Sequence, residues 1–231
     1  MPIAFQYLLK FPLLQDLPQA TLMQLSAQMD DRQYAKREVL STKEQTRFAL
    51  GFLVSGRLQG IDSTVDGRNV GLFFVEPGDY FGELSVVDGK PAAEHVIAVS
   101  KSRALFLEVS VARQLIFERP SIAQAVMTRL SQRVREATAQ RTLLALPNPF
   151  QRLCVQLLLL ARPLQPKQAV LESAPTHQEL AIMINSSRET VTRAFQTLIL
   201  RQVIERQGAH LVLLDTQYLS DIGNGRAEPP K

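Results

Sequence analysis

The residues best suited to chemistry lie in SSRETVTRAF, residues 186 to 195, where Arg188 and Glu189 stand side by side and Arg193 follows five positions on. Arginine can donate two hydrogen bonds to guanine O6 and N7, and glutamate can accept one from cytosine N4, so this trio could read G·C base edges. With about 100° per helical residue, Arg188, Glu189, Thr192 and Arg193 share an arc of about 140°, while Val191, Ala194, Phe195 and Leu198 gather opposite. One face packs and the other presents charge. A merely solvated helix face has the same pattern. Glutamate repels phosphate, however, so Glu189 needs base reading or a capping box to account for it. The elements around the segment have to decide.

Upstream, Thr176 with Glu179 fits a capping box, and Ser186 with Glu189 fits a second, so two short helices start ten residues apart. Between them Asn185 tolerates the left-handed conformation of a tight turn, and Ala181 is small enough for a second helix to cross closely. Downstream, RQVIERQGAHLVLLD offers two β-prone runs around Gln207-Gly208, as in a hairpin wing. Residues 176 to 215 therefore read as a winged helix-turn-helix whose second helix enters the DNA major groove.

The rest of the chain changes period twice. Residues 1 to about 30 are helical, with LPQATLMQLSAQM as a packed helix. From Arg37 to Glu108 the segments are short and β-prone, punctuated by Gly56, Asp66-Gly67, Pro77-Gly78, Gly82 and Asp88-Gly89, which suits an antiparallel jelly roll. From Pro120, the positions Ala123, Met127, Leu130, Val134, Ala137, Arg141 and Leu144 alternate by four and three, the spacing of a coiled-coil seam with Arg141 as a misfit. The flank containing Arg129, Gln132, Arg133, Arg135, Glu136 and Gln140 is polar, which favours a seam between two chains over a monomer core. LPNP at 146 to 149 breaks the helix, with Asn148 as cap and Pro149 opening the next one. The expected class is α+β: a β-roll over 1–119, a dimerisation helix over 120–146, a winged helix-turn-helix over 147–217, and a disordered tail over 218–231.

Composition narrows the function. With 231 residues, 45% apolar and 21% charged, the chain is an ordinary globular one, and 26 basic against 22 acidic side chains permit nucleic-acid binding without requiring it. The single cysteine, Cys154, lies in an apolar run and reads as helix core, so a disulfide framework is excluded. No basic leader or membrane-length apolar run is present, and a cytoplasmic setting is expected. The histidines, His95, His177 and His210, are scattered, unlike the clustered ligands of a metal-dependent jelly-roll enzyme. Nor is there a Ser/His/Asp set or a phosphate loop.

The order of roll, long helix, hinge and winged helix-turn-helix, with EPGDYFGELSVVDGKP and SSRETVTR, resembles the CRP/FNR family of bacterial transcription regulators over residues 10 to 217. The resemblance implies a roll that binds a small effector, a helix that makes a homodimer through Met127, Leu130, Val134, Ala137, Arg141 and Leu144, and a palindromic double-stranded DNA operator. RNA polymerase would be a further partner of an activator. It places Arg188, Glu189 and Arg193 as base readers, and Thr176, Ser186 and Ser187 as phosphate or cap residues. His177, in the first turn of its helix, is a further candidate phosphate contact. The effector pocket would be built from Gly82, Glu83, Leu84, Ala92, Ala93 and His95. Members that bind cyclic AMP carry an arginine and a serine or threonine where this chain has Ala92-Ala93. Losing a charge-assisted hydrogen bond costs about 1.5–3 kcal/mol, about one to two decades of affinity, so cyclic AMP is not the expected effector. An iron-sulfur cluster needs several cysteines. His95 could ligate haem, although lone histidines are more often hydrogen-bonded or exposed. A sensing module with a vestigial DNA domain and a jelly-roll metalloenzyme are the competing readings.

Overall fold

The computed structural model describes residues 4–45, 49–63 and 69–230; the expected Asp66-Gly67 turn lies outside them. The chain divides into two compact units, the first closing at Arg135 and the second running from Glu136 and including Asn69–Gly71.

The first unit begins with a short 3-10 helix, Phe5–Lys10, and α1 (Gln19–Ala27). There follow β1 (Met29–Tyr34), β2 (Val39–Ser41), β3 (Ala49–Ser55), β4 (Leu58–Ser63), β5 (Asn69–Val75) and β6 (Tyr80–Phe81). After α2 (Glu83–Asp88) come β7 (His95–Ala98), β8 (Ser102–Glu108) and α3 (Val109–Glu118). The strands form one sheet in the order β1-β8-β3-β6 and another in the order β2-β7-β4-β5. Strand side chains alternate between faces, and β8 uses both. Ala104 and Phe106 pack inside the roll with Leu53, Leu58, Val75, Phe81 and Val96. Leu105 and Leu107 pack outward with Leu50, Phe52 and the helices. α4 (Pro120–Leu144) joins that outer layer through Ile122 and Val126, which are buried, and Leu130, which packs against the same cluster. On its other side Met127 and Val134 are 60% and 67% exposed.

The second unit contains the last turns of α4, then α5 (Pro149–Leu160), β9 (Arg162–Gln165), β10 (Gln168–Leu171), α6 (His177–Met183), α7 (Arg188–Leu200), β11 (Ile204–Gln207), β12 (His210–Leu213) and α8 (Thr216–Gly223). Asn148 Oδ1 accepts from Phe150 N at 2.8 Å with Pro149 opening the helix, which is the break that LPNP encodes. β11 and β12 are the wing hairpin, turning at Gly208 with φ +63°. The sheet continues as β11-β12-β10-β9, so a second hairpin precedes α6. The disordered tail expected from 218 is corrected over 218–223, which lie in α8. Asp215 Oδ1 caps it by accepting from Tyr218 N at 2.9 Å, and Leu219 and Ile222 are buried. Cys154 is buried in α5, and burial pushes its thiol up to about 12, as fits a core residue.

Candidate functional site

The helix pair of the second unit is set by local hydrogen bonds. Thr176 Oγ1 accepts from Glu179 N at 3.3 Å and Glu179 Oε2 accepts from Thr176 N at 2.8 Å, completing the first capping box. Asn185 takes the left-handed conformation, φ +47°, that the turn requires. The second box, expected from Ser186 and Glu189, does not form. Ser186 N donates to Ala181 O at 2.9 Å to close the turn, so the helix begins one residue later. Ser187 is the cap, its Oγ accepting from Thr190 N at 3.1 Å.

Glu189 therefore does not close a capping box with Ser186. Hydrogen bonding to its own backbone amide and to Ser187, with Arg188 and Arg193 alongside, holds its carboxyl below the usual range. Arg188, Glu189 and Arg193 are all exposed, while Val191, Ala194, Phe195 and Leu198 are buried, so α7 packs on the expected face. His177 is half-buried, with Nδ1 2.9 Å from Thr192 Oγ1 and its ring 4.5 Å from that of Phe195. Burial, and then Arg206 and Arg188, lower its pKa. It joins the start of α6 to α7 with one ring nitrogen committed. Thr176 and Ser187 are exposed at the helix starts and Ser186 is half-buried in the turn.

In the first unit the glycine-glutamate turn is built as the sequence demands. Gly82 has φ +84°, and a Cβ there would meet Ala49 O at 2.6 Å, so both backbone and space require glycine. Glu83 is fully buried, and its Oε1 accepts from Arg133 Nη1 at 2.6 Å. Arg133 Nη2 donates to Glu94 Oε1 at 3.3 Å. The guanidinium lies 3.9 Å from the centroid of Phe73, whose ring occupies the space that a Cβ on Gly60 would need. Burial alone would lower the Arg133 pKa, but Glu83 and Glu94 raise it above its ordinary value. Two carboxylates thus share one cation, and Glu83 Oε2 has no hydrogen-bond partner.

Beside the same turn is a cleft of about 550 Å³ that brings Gly82, Leu84, Ala92 and Ala93 together. Its lining adds the carboxylates of Asp30, Glu94 and Glu108 against Arg32, which is itself paired to Asp30 at 3.0 Å. Glu83 turns to Arg133 instead, and His95 Nδ1 accepts from Lys43 N at 3.2 Å. Among the described residues no group of His, Cys, Asp or Glu is placed to hold a metal ion. Sequence reasoning assigned Arg133 to the polar flank of α4 and passed over Phe73. The available signal was the four-and-three step from Val126 through Leu130 to Arg133, which puts the arginine on the packed side.

A β-roll, a long helix and a winged helix-turn-helix define a DNA-binding transcription regulator with a cyclic-nucleotide-binding type of domain. Residues 31–119 match the cyclic nucleotide-binding domain family and residues 151–222 the Crp-like helix-turn-helix domain family. The Cyclic AMP receptor protein of Thermus thermophilus is 30% identical over 78% of this chain and 81% of its own. The CRP-like cAMP-activated global transcriptional regulator of Mycobacterium tuberculosis is 24% identical over 89% of this chain and 93% of its own. FixK2 from Bradyrhizobium japonicum shares the fold, with a TM-score of 0.71 at 19% identity, covering 84% of this chain and 96% of its own. The chain belongs to the CRP/FNR family of transcription regulators. Among the described residues no helix is long and apolar enough to cross a membrane.

Proposed function

We propose that the chain acts as a homodimer that reads a palindromic DNA operator through Arg188, Glu189 and Arg193, and that its small effector is not cyclic AMP. The observation that carries the DNA reading is the exposed arc of α7, on which two arginines flank a carboxylate that is not part of a capping box. Thr176, His177 and Ser187 stand at the helix starts and Ser186 in the turn before α7, where polar side chains suit phosphate. The dimer reading rests on α4. Met127 and Val134 are apolar and exposed in register with Ala137, Arg141 and Leu144, while Leu130 packs against the roll. Two-fold pairing there would set the α7 helices in successive major grooves, about 34–36 Å apart.

Site selection with purified protein tests the readers. Arg188→Ala and Arg193→Ala should each cost about 1–3 kcal/mol on the best site and relax one base preference; uniform loss on all sequences would mark them as phosphate contacts. Glu189→Gln should leave the melting temperature unchanged, because Ser187 is the cap, yet shift one preference per half-site. Identical selected sites would remove Glu189 from the readers.

The effector argument rests on charge. The relatives' names include cyclic AMP, but of the acidic side chains lining the cleft beside Ala92-Ala93, Asp30 already holds Arg32 and Glu94 already holds Arg133, while Glu108 adds a further negative charge. A phosphate would meet repulsion where it needs a cation. Titration calorimetry with cyclic AMP at physiological concentration should give no binding heat and no change in operator affinity. Micromolar binding would overturn this reading of the pocket.

A further inference from the structure

Two side chains that flank the hinge of the second unit reach the same short stretch of backbone. Gln140, in the last turns of α4, donates from Nε2 to Met183 O at 2.5 Å. Arg152, in the first turns of α5, donates from Nη1 to Leu146 O at 2.8 Å and from Nη2 to Asn185 O at 3.2 Å. Met183 ends α6 and Asn185 is the left-handed residue of the turn, with Ile184, the α6 C-cap, between them. Helix C-termini leave carbonyls without intrahelical partners, and here the hinge supplies donors to them. The guanidinium is a planar fork with fixed donor geometry. One that bonds Leu146 O and Asn185 O together fixes the separation of hinge and turn. Gln140 adds a second tie from the helix that precedes the hinge.

We infer that Arg152 and Gln140 are positioning residues, which set the direction of α7 relative to the end of α4 and thereby the spacing at which a dimer presents its two reading helices. This rests on the homodimer reading above. Neither side chain need touch DNA. Their work would show only when two half-sites are bound at once, since bivalent binding gains from effective concentration only where geometry lets both arms engage.

The test compares duplexes carrying one half-site, the full palindrome, and palindromes with one base pair added or removed between the halves. It uses the full-length parent, Arg152→Met and Gln140→Met, with melting curves for each. Both variants should bind a single half-site within about twofold of the parent but lose about tenfold or more of the full-site advantage. They should also discriminate less among the three spacings. An unchanged full-site advantage and spacing preference in both variants overturns the proposal. So does an equal loss on half-site and full-site DNA, which marks general damage to the reading unit. A parent with no full-site advantage overturns the homodimer reading and this inference with it, whereas a parental advantage that both variants keep overturns only the inference. If Arg152→Met does not fold, Gln140→Met decides alone, because it removes a single bond from a half-exposed side chain.

Discussion

Val134→Glu is expected to convert the protein to a monomer and to lower its affinity for the palindromic operator by about 10²–10⁴-fold, the range that bivalent engagement contributes. Val134 is the most exposed large apolar side chain on α4, 67% accessible, seven positions after Met127 at 60%. Neither serves the core of its own chain, which α4 reaches through Ile122 and Val126. In a two-fold seam the substitution would set two carboxylates against each other and remove both from water, and an uncompensated buried charge costs about 3–5 kcal/mol. Far-UV dichroism should be unchanged because the roll is untouched. Light scattering at micromolar concentration and a mobility shift on the palindrome read the two effects. A variant that stays dimeric with parental affinity would place the dimer contact elsewhere and sink the α4 seam.

The parts of the molecule that the sequence discloses are those governed by neighbours in the chain. The Thr176 capping box, the left-handed Asn185, the Asn148-Pro149 helix start and the wing turn at Gly208 each depend on a few consecutive residues. The packed stripe of α7 follows from helical period alone. Where a distant group intervenes, local reading slips. The cap moves from Ser186 to Ser187 because Ala181 O claims the Ser186 amide, and a two-residue pattern cannot register that claim. α8 is eight residues long and rests on burial of Leu219 and Ile222, so its propensity alone is weak. The second hairpin escapes because β9, RPLQ, is exposed throughout and contains a proline, which reads as a turn. The Arg133 cluster was the least legible feature. Its partners Glu83 and Glu94 lie 50 and 39 positions away, and the Phe73 ring that it covers is explained only by Gly60 on another strand.

That cluster supports the second large effect, a loss of about 3–5 kcal/mol of stability in Arg133→Met, the cost typical of removing one partner from a buried ion pair. Glu83 is fully buried, and the side chains of Arg133 and Glu94 are 16% and 12% exposed, so solvent screens the group little. With Arg133 gone, Glu83 would keep a buried charge that has neither cation nor donor, since its Oε2 already lacks a partner. Methionine retains the length and apolar contact needed over Phe73, so the loss would report on charge more than on packing. At about 2–4 °C per kcal/mol for a chain of this size, the transition assigned to the roll should fall by about 6–20 °C. Glu83→Gln made on the Arg133→Met background should recover part of that fall, because a neutral amide costs less to bury than a carboxylate. Calorimetric melting of the parent, the single variant and the double variant distinguishes the cases. If Arg133→Met melted with the parent, water would have to reach Glu83 freely and the dependence of its buried charge on Arg133 would be wrong. If the double variant recovered nothing, the loss would belong to the guanidinium's stacking on Phe73 rather than to the carboxylate it neutralises.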